Sequence, residues 1–215
     1  MEQRNLKGLD FRAVTAAVIS TLLVLIDYYH PWRPAWATTA AETRATLALE
    51  SLGFYLLIPL LVIVVVFRDK PSDYGFCLGD WREGLKWTAI SLAIFGPITW
   101  LAGRQPTVMT YYEGRMEMGL GNLILTSAGD ILGWEFVFRG FLLFALARVA
   151  GPNAIVLQAI PFAIAHIGKP ELETLSTIFG GTAFGWVAWR SRSYFYAFLI
   201  HLAVNVLVVI AAASG

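Results

Sequence analysis

The chain is short of charge, histidine and cysteine. Only 14% of its 215 residues are charged, against 57% hydrophobic, and the mean hydropathy is +0.63. Soluble domains carry about a quarter charged residues, so this chain has too little polar side chain to cover a globule of its size. A net charge of +1 excludes a strongly basic nucleic-acid binder. The single cysteine, Cys77, excludes an internal disulfide and a cysteine-based metal site. There are three histidines, His30, His166 and His201, and no internal repeat or low-complexity tract.

What is present instead is a succession of long apolar runs. They predict an all-α polytopic membrane protein, one membrane domain over 1–215, because backbone polar groups in lipid must be satisfied within each segment. About seven passes are expected, near 12–29, 48–67, 86–103, 119–147, 153–168, 173–190 and 194–213. The fourth is too long for one span, and Gly129 and Gly133 either break it or admit a close neighbour. "ATTAAETRATLALE" reads as an amphipathic elbow or a helix extension before the second pass, and 68–86 as a structured polar connection. The first run, ending near "AWA" at 35–37, also fits a signal peptide; a retained helix is the preferred reading, since the rest of the chain is that of an inner-membrane protein.

Basic residues sort by side. With the N-terminus inside, the inner segments hold Arg4, Lys7, Arg12, Arg68, Lys70, Arg82, Lys86, Arg148, Arg190 and Arg192, and the outer ones only Arg33, Arg44, Arg104, Arg115 and Lys169. The expectation is an integral protein of a prokaryotic cytoplasmic membrane, N-terminus inside, with the lipid bilayer as its surroundings and no nucleic-acid partner.

The ionisable residues inside the runs are few: Asp130, Glu135, Arg139, His166 and His201, with Asp27 at an edge. Charge in a bilayer is costly, so such groups pair, line a cavity or work. Glu135 and Arg139 are four apart and can pair; His201 and Asn205 share a face at the same interval, as do Phe162 and His166. Taken singly, each reads as well as a packing device as a functional group. A carboxylate, two imidazoles and an amide on three helices together offer a general base, a proton carrier and oxyanion donors, the parts of a hydrolytic site. A small transporter would also use such groups, but no inverted repeat relates the two halves.

"WEFVFRG" (134–140), "FAIAH" (162–166) and "HLAVN" (201–205) resemble, in order and spacing, the three motifs of the CPBP or Abi family, the intramembrane endopeptidases of CAAX-protease and bacteriocin-processing type, whose pattern is EExxxR, FxxxH and HxxxN. The flanks "FRGFLL", "GGTAFGWVAWRSRSYFYAFLIH" and "DYGFCLGDWREGL" are similar as well. The likeness spans 70–206 and is strongest over 128–206, within a motif-bearing core at 119–206.

The resemblance implies a peptidase, of glutamate or metallo type, acting on peptides or membrane-associated proteins. Glu135 and His166 would activate water, His201 and Asn205 would face the oxyanion, and Arg139 would hold the Glu. No cofactor is required by this scheme, although Glu135, His166 and His201 could ligate a divalent metal such as Zn²⁺. The chain departs from the pattern at the first acid, the one usually assigned to catalysis, where Trp134 stands. Neighbours on a helix point about 100° apart, so Glu135 needs a helix rotation or a bulge to replace it. Three readings follow, in order: Glu135 is the base in a rearranged site; Asp130, one turn before Trp134, assists or replaces it; or catalysis is lost and a membrane scaffold or binding partner remains.

Overall fold

The computed structural model describes residues 10–215. Among them the fold is all-helical, with no strand. Arg4 and Lys7 lie outside the described residues. Helix α1 (Phe11–Tyr29) starts at Asp10, whose side chain accepts from the amides of Arg12 and Ala13 and so satisfies two otherwise free donors. Helix α2 fills the whole segment Ala40–Phe67. Its first three turns are the extension expected before the second pass, closed by a capping box between Thr39 and Glu42. Pro59 cannot donate within it, and the turn before, Leu52–Leu57, is widened to a π-turn.

The 68–86 connection is structured, as expected. It is stitched to the later helices by Asp80 N–H donating to Ser191 O (2.7 Å) and by the Tyr196 hydroxyl donating to Leu78 O (3.0 Å). It leads into α3 (Trp81–Gly103) and the short α4 (Pro106–Tyr112). Helix α5 (Leu120–Glu135) passes through a π-turn at Phe136–Leu142 into α6 (Leu143–Ala150). Gly129 and Gly133 do not break it. A Cβ at Gly133 would strike the Ser51 carbonyl and one at Gly129 would press on Ala48, so both glycines admit α2. Two short helices follow, α7 (Ala154–Leu157) and α8 (Ala159–Ile164), then α9 (Glu171–Ser191) and α10 (Phe195–Ala213).

Five segments are long and apolar enough to cross a membrane: Phe11–Tyr29, Ala40–Phe67, Trp81–Gly103, Leu120–Ile164 and Phe195–Ala213. The count differs from seven for two physical reasons. The fourth and fifth expected passes form one segment of 45 residues, interrupted at Gly151, whose φ is +54°, and Pro152. The sixth is helix α9, of sufficient length, but its stretch of Glu, Ser, Thr and Gly makes it too polar to qualify.

The two ends of the bundle are distinct. At one, Asp69 receives Arg12 (2.6 Å), Arg148 (3.2 Å) and the Tyr74 hydroxyl (2.9 Å), and Arg190 meets Glu83 at 3.1 Å. At the other, Tyr112 and Lys169 both donate to Glu173 (2.9 Å each), and Arg44 pairs with Asp130 at 3.2 Å.

Candidate functional site

The motif residues converge from α5, α8 with the turn after it, and α10. Arg139 sits in the π-turn that follows Glu135 and is fully buried, as is Glu135; Arg139 Nη1 donates to Glu135 Oε1 at 3.3 Å. The guanidinium lies over the Phe162 ring, 3.8 Å from its centroid. Gly181 of α9 makes room for it, because a Cβ there would come within 3.2 Å of Arg139 Nη2. Gln158 holds α9 at this level by donating to Gly181 O at 2.8 Å. The Gly-rich stretch that precedes the last motif is thus the wall that allows an arginine to be buried among rings. Sequence reasoning missed Gln158 and Gly181 as supports of the motif; a Gln amid an apolar run was the available signal for the first.

The same oxygen, Glu135 Oε1, faces His201 Nδ1 at 2.6 Å. With Arg139 also donating to that carboxylate, the imidazole is the donor, and Nε2 is the nitrogen left for other partners. His166 Nδ1 lies 2.8 Å from Phe162 O. A carbonyl only accepts, so Nδ1 carries the proton and Nε2 of neutral His166 bears a lone pair. Both rings are therefore oriented by their Nδ1 contacts, with Nε2 left for other partners.

A cavity of about 190 Å³ opens at the end of the bundle away from Asp69. His166, His201 and Asn205 line it, together with Trp134, Asp130 and Phe162. Arg44, Arg115 and Lys169 stand around it and Asp27 contributes a further carboxylate. Glu135 is fully buried and is not among the lining residues. The first-ranked reading, Glu135 as base in a rearranged site, thus meets a different arrangement. A π-turn is present, yet it begins after Glu135 and leaves the carboxylate turned toward Arg139 and His201. Trp134 takes the cavity face, its ring 4.4 Å from that of Tyr55 and 5.8 Å from that of Phe138. His30 is exposed at the end of α1.

Glu135, His166 and His201 do not fit as a metal-ligand set. Among the described residues no three His, Cys, Asp or Glu side chains are grouped to hold a metal ion. Glu135 Oε1 already receives two donors inside the protein, and Glu135 does not line the cavity that His166 and His201 face.

No curated protein and no solved structure matches the chain. One family does, the type II CAAX prenyl endopeptidase Rce1-like family, over residues 115–207. That segment contains all three motifs and six of the cavity's polar groups, Arg115, Asp130, His166, Lys169, His201 and Asn205. Residues 115–207, somewhat less than half of the chain, are similar to the Rce1-like family of type II CAAX prenyl endopeptidases.

Proposed function

We propose that the protein is an intramembrane endopeptidase that hydrolyses peptide bonds of membrane-associated or peptide substrates in the cavity between α5, α8 and α10. The observation that carries this reading is the meeting of His166, His201 and Asn205 in one cavity, with Nδ1 of both imidazoles already engaged. His166 Nε2 accepts a proton from water, whose oxygen attacks the peptide carbonyl carbon. The resulting oxyanion receives hydrogen bonds from Asn205 and, when the His201 ring carries a proton on Nε2, from His201. His166 then returns the proton to the amide nitrogen, the C–N bond breaks, and an acid and an amine leave. Glu135 acts as a positioning residue: it sets the His201 ring and balances its positive charge, while Arg139 holds Glu135. The cavity volume of about 190 Å³ is below the range of about 300–1,000 Å³ usual for drug-sized ligands. It suits an extended segment of chain, not a folded domain.

Orientation belongs to the same proposal. Arg12, Arg68, Lys70, Arg82, Lys86, Arg148, Arg190 and Arg192 gather at or near the Asp69 end, and Arg33, Arg44, Arg104, Arg115 and Lys169 at the cavity end. This bias favours the Asp69 end inside a prokaryotic cell, with the cavity opening on the outer side.

Trp134 favours a second reading. An indole lines the cavity where the family resemblance leads one to expect an acid, which suits a non-catalytic scaffold that binds a peptide segment. The two readings part in a comparison of membrane-protein and peptide termini in the native host, wild type against His166→Ala at equal expression. Termini that vanish in the variant support the peptidase and supply its substrate. Identical termini, with the variant stably inserted, move the assignment to the scaffold.

A further inference from the structure

A histidine that takes a proton from water in a low-dielectric cavity needs a nearby anion to balance the charge it acquires. Glu135, whose Oε1 accepts from Arg139 and His201, does not line the cavity. Trp134 cannot serve. The cavity nevertheless contains a carboxylate on the same helix. Asp130 is one turn before Trp134, so the two share a face of α5, and both line the cavity with His166.

Asp130 is held firmly. Its Oδ1 accepts from the Ser51 hydroxyl at 2.6 Å, and its Oδ2 from Arg44 Nη2 at 3.2 Å. Both partners come from α2, which lies against α5 because Gly129 and Gly133 let it approach. Each carboxylate oxygen has two lone pairs and gives up one here, so each can still accept a hydrogen bond from a water in the cavity. The side chain is 18% exposed, in keeping with that access. Asp27, the other carboxylate of the cavity, comes from α1 and accepts the Tyr55 hydroxyl at 2.7 Å; it lies on no motif helix.

We propose that Asp130 is the catalytic carboxylate of this chain, displaced by one helical turn from the family's usual position, accepting a hydrogen bond from the attacking water while His166 takes its other proton. The inference rests on the endopeptidase reading. Atoms balance as in ordinary hydrolysis: one water hydrogen travels through His166 to the leaving amine, and Asp130 accepts a hydrogen bond and ends as it began. Trp134 and Asp130 then form a matched pair. The indole removes the usual acid, and the turn before it supplies another.

The readout is the rate at which native-host membranes generate those termini that depend on His166. Asp130→Asn is expected to lower that rate about a hundredfold or more. Ser51→Ala deletes a hydrogen bond to the same carboxylate but leaves the charge, and is expected to lower it no more than about threefold. Trp134→Glu placed in the Asp130→Asn background returns an acid to the family position and is expected to recover about tenfold or more of the loss. Should Asp130→Asn fail to insert, Asp130→Glu carries the test: it keeps the charge but shifts the oxygens, and a fall of about tenfold is expected. Wild-type cleavage by Asp130→Asn, or by Asp130→Glu in that case, overturns the inference and leaves the endopeptidase standing. So does a loss in Ser51→Ala equal to that in Asp130→Asn, which marks Asp130 as a packing residue. If no terminus depends on His166, the endopeptidase reading itself fails and the inference falls with it.

Discussion

The two ends of the bundle use the same residue types to different purpose. At one end Asp69 accepts from two arginines and a tyrosine. Its donors come from α1, from the 68–86 connection and from α6, so the carboxylate ties three parts of the chain together. In the motif region the carboxylate of Glu135 also meets an arginine and a histidine, yet Glu135 Oε2, Arg139 Nε and Nη2, and Asn205 Oδ1 have no hydrogen-bond partner among the described residues. Buried polar groups in proteins are almost always satisfied, and exceptions concentrate where chemistry is done. The Tyr194 hydroxyl beside the 68–86 connection also has no partner, but the Asp69 carboxylate itself is fully paired and reads as architecture, whereas the incompletely paired motif groups read as a site.

That contrast can be broken most severely at Asn205, the proposed oxyanion donor. Asn205→Ala is expected to cut turnover by about a hundredfold to a thousandfold, with the unfolding midpoint of the purified protein in lipid nanodiscs nearly unchanged. A loss below about threefold would remove Asn205 from the site. Glu135→Gln sharpens the contrast in two coordinates. It strips buried Arg139 of its counter-charge, a cost of about 3–5 kcal/mol in stability, and it frees the His201 ring. The double variant Glu135→Gln, Arg139→Met is expected to regain stability but to keep kcat depressed about tenfold to a hundredfold, with KM little changed. Recovery of both stability and kcat would show that Glu135 serves packing alone.

The smallest effect belongs to the other end. Asp69→Asn is expected to leave cleavage unchanged and to lower stability by about 1 kcal/mol. The Arg12 hydrogen bond, helped by Tyr74 and Arg148, holds the Asp69 carboxyl below its ordinary value. A depressed carboxyl contributes stability that is present above the unfolded pKa of about 3.9 and lost as pH falls through the folded one. The difference between wild type and Asp69→Asn should therefore be constant near neutrality and vanish in strong acid. A difference that widened on acidification would contradict the assignment of Asp69 as an ion-pair hub.

The fold class was legible because apolar runs in a charge-poor chain leave helices as the only spanning structure. The motif residues were legible through spacing: four-residue intervals put Glu135 beside Arg139 and His201 beside Asn205, and both pairs lie where that spacing places them. The direction of Glu135 was not legible. Sequence indicates that it differs by one helical step from Trp134, but which of the two faces the cavity depends on where the π-turn begins, and that turn starts at Phe136, after both. Helix α9 was also hard to classify. Its Gly, Ser and Thr content lowers its hydropathy, and the glycines serve to admit Gln158 and Arg139. The ties of Asp130 to Ser51 and Arg44 join residues 79 and 86 positions apart, a distance no periodicity reports.

The most direct measurement is isotopic. Purified protein in lipid nanodiscs is incubated with a membrane extract of the native host in ¹⁸O-water, and new C-termini are examined by mass spectrometry for wild type and His166→Ala. Hydrolysis in the cavity predicts new C-termini carrying one ¹⁸O with wild type and none above background with His166→Ala. Labelled termini formed equally by both proteins, or by neither, would contradict a hydrolytic site built on His166.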